Sequence, residues 1–220
     1  MQGSFIIDGD QYMRERPINH LVEALKQLGA SIQYLGAENC PPLRVIGGSI
    51  RGGKVDIKGD ISSQYLTSLL LALPLAPKDS EVTVIGEQVS KPYLDLTLDI
   101  MSKFGVSANH NDHQHFTIQG DQSYQSPGTY LIEGDASSAS YFFAAAAIAG
   151  GTVRVNGIGS DSVQGDIEFL DAIEAMGAVV SRQTDWVEVS GATLKGIDMD
   201  LNHIPDAAMT IAAMALFAEG

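Results

Sequence analysis

The chain has 220 residues, with 13 Lys and Arg against 27 Asp and Glu, so its formal net charge is −14. This acidic balance excludes nonspecific binding to nucleic acid or to an anionic membrane surface, because both partners would repel it. The contents of 45% apolar and 18% charged residues are ordinary for a globular protein and exclude a disordered chain.

A cytoplasmic location is predicted from three features. The first residues lack a basic segment followed by an apolar one, so no signal peptide is expected. The longest apolar run, residues 141–149, is about half as long as a bilayer requires. The single cysteine, Cys40, has no partner for an internal disulfide and is interpreted as structural. We therefore expect no membrane partner.

The first predicted helix covers residues 17–29. Pro17 is favourable at a helix start, leucines recur with helical spacing, and Gly29 is a typical stop. The turn before it carries Arg14 and Arg16. A pair of anion-binding arginines and a solvated turn fit this segment about equally well.

A glycine-rich segment, Gly48-Ser-Ile-Arg-Gly-Gly-Lys54, follows the spacing of a phosphate-binding loop up to its last position. Val55 then stands where that loop requires Ser or Thr. The alternation Val55-Asp-Ile57 indicates a strand rather than the helix that such a loop must enter. We expect a glycine-rich hairpin here.

Two stretches of the chain follow one pattern. They open at Lys58-Gly-Asp-Ile-Ser-Ser-Gln-Tyr65 and at Glu133-Gly-Asp-Ala-Ser-Ser-Ala-Ser140. Each continues with an apolar helix, a Val-rich strand, a glycine, an amphipathic helix that ends at glycine, and two strands. The repeat predicts α/β units with outer sheets, in which the apolar first helix is buried on all sides.

Partial copies of this unit flank the two full ones. The helix at residues 17–29 resembles the second helix of an earlier copy, and His203 opens the first helix of a later one. We therefore expect an internal fragment of a longer protein. The polar segment 120–128 is the predicted linker between domains.

Polar residues precede the apolar helices of the repeat. Asp60 and Asp135 are predicted to cap helix N-termini, and Asp206 stands at the start of the last helix. Converging helix N-termini favour an anion, phosphate above all. Because Ser62-Ser63-Gln64 keeps an amide where the second copy has Ala139, this segment is predicted to bind a ligand.

Three histidines, His110, His113 and His115, lie between the two closing strands of the first full unit. No cysteine or carboxylate cluster accompanies them in the sequence. They are interpreted as a polar hairpin tip, and no metal is expected.

Five motifs stand in order along the chain: Met13-Arg-Glu-Arg-Pro17, Ser62-Ser-Gln64, Val89-Ser-Lys-Pro-Tyr93, Gly134-Asp-Ala-Ser-Ser-Ala-Ser140 and Asn202-His-Ile-Pro-Asp-Ala-Ala-Met209. Together they closely resemble the 5-enolpyruvylshikimate-3-phosphate synthase family. The resemblance implies βαβαββ units with buried helices and outer sheets, arranged as an inside-out barrel. Residues 1–131 would be the later part of a first domain, and residues 132–220 the first part of a second.

The resemblance also implies an activity of chorismate biosynthesis. The enolpyruvyl group of phosphoenolpyruvate would pass to the 5-hydroxyl of shikimate 3-phosphate, with release of phosphate and without a metal or cofactor. The implied ligands of shikimate 3-phosphate are Ser62, Ser63, Gln64, Ser90, Tyr93 and Asp206. Arg16 and Gln64 would bind phosphoenolpyruvate, and Asp206 would orient the 5-hydroxyl and accept its proton.

Some of the family's pattern has no counterpart in this sequence. Its amino-terminal lysine-serine and arginine segment, its glycine-rich loop and its carboxy-terminal basic residues are all missing. The chain alone is therefore expected to be inactive, and to self-associate or require the missing segments. Two alternatives stay open: a UDP-N-acetylglucosamine enolpyruvyl transferase, whose loop cysteine Cys40 does not match, and a non-catalytic anion-binding repeat domain.

Overall fold

The computed structural model, which describes residues 3–48 and 50–220, contains both helices and strands. The chain divides into two units, Met1–Pro127 and Gly128–Gly220. Each unit has a large hydrophobic cluster of its own. No helix among these residues is long and apolar enough to cross a bilayer.

The first unit contains two sheets. Its strands are β1 (Ser4–Ile7), β2 (Ser31–Tyr34), β3 (Leu43–Ile46), β4 (Gly53–Lys58), β5 (Ser80–Ile85), β6 (Ala108–Asn111) and β7 (His115–Ile118). Its α-helices are α1 (Asn19–Gln27), α2 (Ser63–Ala72) and α3 (Lys91–Lys103). One sheet has the antiparallel order β1-β3-β2. The other has the order β4-β5-β7-β6, in which β4 and β5 are parallel and the other neighbours antiparallel.

The second sheet and its helices form the predicted βαβαββ unit. Parallel strands need a crossover connection, and α2 supplies it between β4 and β5. Leu69, Leu70 and Leu73 are fully buried in the cluster that also contains Val82 and Phe116. The apolar helix and Val-rich strand of the sequence pattern therefore share one core, and the α/β class is confirmed.

The glycine-rich segment leads into a strand, as predicted, but not into a hairpin. Strand β4 pairs with β5, whereas β3 pairs with β1 and β2 in the other sheet. The hairpin prediction is wrong because β4 takes its partner from across a helical crossover rather than from the strand before it. Ser49 of this segment lies outside the described residues.

The second unit contains the second copy of the pattern. Its strands are β8 (Thr152–Asn156), β9 (Val179–Arg182) and β10 (Trp186–Ser190), and its α-helices are α4 (Ala136–Ala149), α5 (Phe169–Ala175) and α6 (Pro205–Ala215). The strands form an antiparallel sheet of order β8-β10-β9. Leu131 and Ile132 precede α4 outside any assigned strand and are 85% and 83% exposed. None of the three sheets described closes into a barrel.

The apolar helices are not buried on all sides. Tyr141 and Phe142 of α4 are 59% and 61% exposed, and Met209 of α6 is 77% exposed. Helix α4 contacts β8, β10, α5 and α6, but within the described part of its unit no element covers this side. The prediction of full burial is therefore wrong for this chain.

Most of the predicted linker belongs to the first unit. The backbone N–H of Asp121 donates to the carbonyl of Ala76 at 2.7 Å, and that of Gln122 donates to Pro74 at 2.9 Å. The N–H of Gln125 donates to Phe104 at 2.7 Å. These bonds fix the segment as far as Gln125 to the first unit, and the division between the units, after Pro127, falls within the end of the predicted linker.

The loops that follow β4 and β5 contact each other at Gly59. Its N–H donates to the carbonyl of Ile85 at 3.0 Å, and its own carbonyl accepts from Val89 at 3.2 Å. A Cβ at position 59 would lie 2.5 Å from Cγ1 of Val84 and 3.0 Å from the carbonyl oxygen of Glu87. The close approach of the two loops therefore requires glycine.

We expect Gly59→Ala to lower the free energy of unfolding by about 1–3 kcal/mol, because the added methyl overpacks this crossing. Urea denaturation followed by circular dichroism measures the change. Gly151→Ala is the matched control, since its Cβ would meet nothing within 4 Å; its effect should stay within about 1 kcal/mol. Equal effects of the two substitutions would contradict the steric account.

Candidate functional site

Helix α2 begins on a neutral cap. Ser62 has extended backbone, and its Oγ accepts the N–H of Gln64 at 3.2 Å. The cap is therefore Ser62, and the prediction of Asp60 as the cap is wrong. Ser63 is buried at the first helical position, whereas Gln64 is exposed. The partial positive charge of the helix end is not offset by its own cap.

Helix α4, which starts from the same sequence pattern, carries an anion of its own. Asp135 Oδ1 accepts the N–H of Ser137 at 3.0 Å and its hydroxyl at 2.7 Å, and Oδ2 accepts the hydroxyl of Ser138 at 2.6 Å. The hydrogen bond from Ser138, followed by those from Ser137, holds the pKa of Asp135 below its ordinary value. The prediction that Asp135 caps this helix is confirmed.

The N-terminus of α3 lies beside that of α2. Both helices follow parallel neighbouring strands, and the Gly59 contact holds their loops together. Further along, the hydroxyls of Thr67 and Thr97 join the two helices at 3.2 Å. Two helix N-termini therefore share one edge of the sheet, where both favour an anion.

Ser90 precedes α3 in a left-handed backbone conformation, with φ 55°. Its side chain makes no capping hydrogen bond, and such a backbone costs on the order of 1–3 kcal/mol in a residue other than glycine. Tyr93 is half-buried in the first turn, and its N–H donates to the Ser90 carbonyl at 3.2 Å.

A cleft of about 580 Å³ opens beside the start of α2. The residues that line it come from the segment before α1, from α1 and from α2: Met13, Arg16, Pro17, Ile18, His20, Ile61, Ser62, Gln64 and Tyr65. The structure thus brings three predicted site residues, Arg16, Ser62 and Gln64, into one cleft. Ser63, Ser90 and Tyr93 lie in the adjoining helix starts and do not line it.

Only one of the two arginines at the turn is available to a ligand in this cleft. Arg14 donates to Asp8 through Nε at 2.8 Å and through Nη2 at 2.6 Å. The Arg14 bond holds the pKa of the Asp8 carboxyl below its ordinary value. Arg16 makes no ion pair with any residue that the structure describes. At this turn, therefore, Arg14 is paired with Asp8, and Arg16 is the arginine that lines the cleft.

Tyr65 and His20 were missed by the sequence interpretation. The Tyr65 hydroxyl donates to the carbonyl of Pro17 at 2.7 Å and ties the chain next to Arg16 to α2. Helical spacing could have placed Tyr65 at the site, because it stands three residues after Ser62 on the same helix face. His20 lies on α1, and nothing in its local sequence indicated that α1 borders the cleft.

Asp206 belongs to the second unit. It is exposed in the first turn of α6, where a negative charge favours the helix end. The position before this helix is Ile204, whose side chain makes no capping bond. Asp206 thus lies inside α6, whereas Asp135 lies at the capping position before α4.

The chain matches known proteins along its whole length. A family model described as EPSP synthase (3-phosphoshikimate 1-carboxyvinyltransferase) matches residues 1–220. The chain is 59% identical to the 3-phosphoshikimate 1-carboxyvinyltransferase of Yersinia pestis bv. Antiqua (strain Angola) over 98% of its own length. It is 58% identical to the protein of that name from Escherichia coli O1:K1 / APEC, again over 98% of its length. It spans 50% of each of these two relatives.

Solved structures share the fold. An EPSP synthase from Acinetobacter baumannii superimposes with a TM-score of 0.77 at 27% identity, covering 100% of this chain and 51% of that one. The enolpyruvyl transferase NikO from Streptomyces tendae, at 17% identity, gives a TM-score of 0.70 over 91% of this chain and 49% of its own, and supports the fold alone. The chain spans about half the length of the curated relatives it matches, and by sequence and fold it belongs to the EPSP synthase family.

Proposed function

We propose that the edge where α2 and α3 begin binds the phosphate of shikimate 3-phosphate. The observation that carries this proposal is the difference between two helices with the same opening pattern. Helix α2 starts on the neutral Ser62 beside Arg16, whereas α4 starts on its own Asp135 carboxylate. A dianionic phosphate is attracted to the first helix end and repelled from the second.

The proposed donors to the phosphate are the hydroxyls of Ser62, Ser63 and Ser90 and the amide of Gln64, with Tyr93 beside the carbocyclic ring of shikimate. Hydrogen bonds to a charged phosphate are stronger than neutral ones, which suits a cluster of small hydroxyls. Names of the relatives at 58% and 59% identity favour shikimate 3-phosphate over UDP-N-acetylglucosamine as the ligand.

The proposed contact for phosphoenolpyruvate is Arg16, assisted by Gln64. Both line the cleft, and the guanidinium of Arg16 is not taken by a carboxylate in the described residues. Its planar fork matches a carboxylate or a phosphate in bidentate geometry. The Tyr65 hydrogen bond to Pro17 would keep the Arg16 backbone beside the α2 N-terminus.

The proposed reaction is transfer of the enolpyruvyl group from phosphoenolpyruvate to the 5-hydroxyl of shikimate 3-phosphate. A bond forms between the hydroxyl oxygen and the enolpyruvyl carbon, and the bond from that carbon to the phosphate oxygen breaks. Asp206 is the proposed base that orients the hydroxyl and accepts its proton. The basic groups that would stabilise the departing phosphate are proposed to lie in parts of the relatives that this chain does not span.

The proposed location is the cytoplasm, which the single, unpaired Cys40 supports. We also propose that the exposed apolar side chains of α4 and α6 associate with a second copy or with complementary segments. The exposure of Tyr141, Phe142 and Met209 supports this proposed association, since exposed apolar clusters favour it.

Ser63→Ala should weaken the binding of shikimate 3-phosphate to the chain by about 1–3 kcal/mol, because a hydroxyl that meets a charged phosphate is lost. Isothermal titration calorimetry at millimolar ligand measures this change. Ser68→Ala is the matched control, since Ser68 lies on the same helix and its hydroxyl donates to the Gln64 carbonyl at 2.9 Å. Absence of saturable binding, or equal losses in the two variants, would overturn the proposed site.

The chain alone should release no phosphate from phosphoenolpyruvate and shikimate 3-phosphate, because positioning and charge stabilisation dominate such reactions and need both halves of the site. A coupled phosphate assay measures turnover, and sedimentation velocity on the same sample reports association. Turnover by the 220-residue chain at an ordinary enzymatic rate would contradict the proposal.

In a relative that spans the full length, replacing the aspartate equivalent to Asp206 by Asn should reduce turnover about 10²–10⁴-fold.

A further inference from the structure

Two histidines and a carboxylate meet away from the cleft. His110 lies on β6, His113 lies at the tip of the β6–β7 hairpin, and Asp95 lies on α3. One ligand atom from each of the three lies within 4.8 Å of the other two. No carboxylate cluster accompanies the histidines in the sequence, and no metal was therefore expected, but α3 brings Asp95 to them.

We propose that Asp95, His110 and His113 bind one divalent transition-metal ion, with zinc as the representative. Two imidazoles and a carboxylate form a donor set that zinc accepts, whereas calcium and magnesium prefer oxygen ligands alone. Three protein ligands leave a fourth position for water. The net charge of −14 adds a general attraction for cations.

The two imidazole rings are held in place by the fold. His113 Nε2 lies 2.7 Å from Asp95 Oδ1, and the backbone N–H of His113 donates to His110 Nδ1 at 3.3 Å. The ring of His110 stacks on the fully buried Phe116, with centroids 5.4 Å apart. Ligands that are already ordered lose less conformational entropy when they bind a metal.

The donor atoms need only a small rearrangement to reach zinc distances. Zinc bonds to nitrogen and oxygen of about 2.0–2.2 Å place tetrahedral donors about 3.3–3.6 Å apart. The contact between His113 and Asp95 must therefore lengthen by less than about 1 Å, while the widest spacing, within 4.8 Å, closes by no more than about 1.5 Å. A hairpin tip can supply movements of this size.

Competing partners are few around the cluster. His113 Nδ1 is buried and has no hydrogen-bond partner in the part of the chain that the structure describes. The nearby ammonium of Lys91 lies 3.5 Å from Asp112 Oδ1 and pairs with that carboxylate. In the described residues, therefore, His113 Nε2 has Asp95, its fellow ligand, as its partner, and Lys91 does not compete for the Asp95 carboxylate.

The test is a titration of the untagged, chelator-treated chain with zinc chloride in competition with a chromogenic zinc chelator. We expect one zinc ion per chain, bound in the micromolar range. Asp95→Asn and His110→Ala should each weaken binding by at least about tenfold, since even groups outside the ligand shell change metal affinity 10–100-fold. Circular dichroism of each variant checks that it has folded.

His115→Ala is the matched control. His115 belongs to the same histidine-rich segment, but strand alternation places it on the opposite face of β7 from Phe116 and hence from His110. Cys40→Ser controls for zinc capture by the thiol. Neither variant should change zinc affinity. An equal loss in His115→Ala and His110→Ala, a large loss in Cys40→Ser, or no binding below millimolar zinc would overturn the site.

A second measurement needs no substitution and therefore does not depend on variant folding. Long-range ¹H–¹⁵N spectra of the imidazole nitrogens should show zinc-dependent shifts for His110 and His113. The nitrogens of His20, His115 and His203 should stay unchanged. Zinc-dependent shifts confined to these three histidines would also overturn the proposal.

Discussion

Because β4 and β5 pair in parallel, α2 and α3 must both start at the same edge of the sheet. The rest of the candidate site depends on this constraint. The loops before the two helices are joined through Gly59, and a side chain at that position would collide with Val84. The parallel pairing of β4 with β5 and the glycine at position 59 therefore place Ser62 and Ser90 in neighbouring loops.

The two repeat copies show how a small change in capping alters the chemistry of a helix end. The same Gly-Asp-x-Ser-Ser pattern opens both helices. In the second copy the aspartate, Asp135, caps α4 and binds its first-turn serines; in the first copy the cap moves two residues on, to Ser62. One helix end is then neutralised internally, and the other keeps its positive potential for a ligand.

Local patterns in the sequence predicted the repeat, its helices and most of its strands, because period and turn residues are encoded within each element. Features that depend on distant partners were not predictable. Full burial of α4 failed because nothing in its sequence reports which neighbours cover Tyr141. Tyr65 reaches Pro17, and Asp95 reaches His113, only after helices pack on distant segments. The sequence indicated Ser62 and Gln64 as ligand residues, but it assigned the cap to Asp60.

The capping difference implies that the start of α2, and not that of α4, attracts an anion. Titration of the ¹⁵N-labelled chain with inorganic phosphate, followed by ¹H–¹⁵N correlation spectra, tests it most directly. Saturable shifts are expected for the backbone amides of Ser63, Gln64 and Tyr65, while those of Ser137 and Ser138 stay fixed. Shifts of equal size at both helix starts, or shifts at the α4 start alone, would show that the cap does not decide where the anion binds.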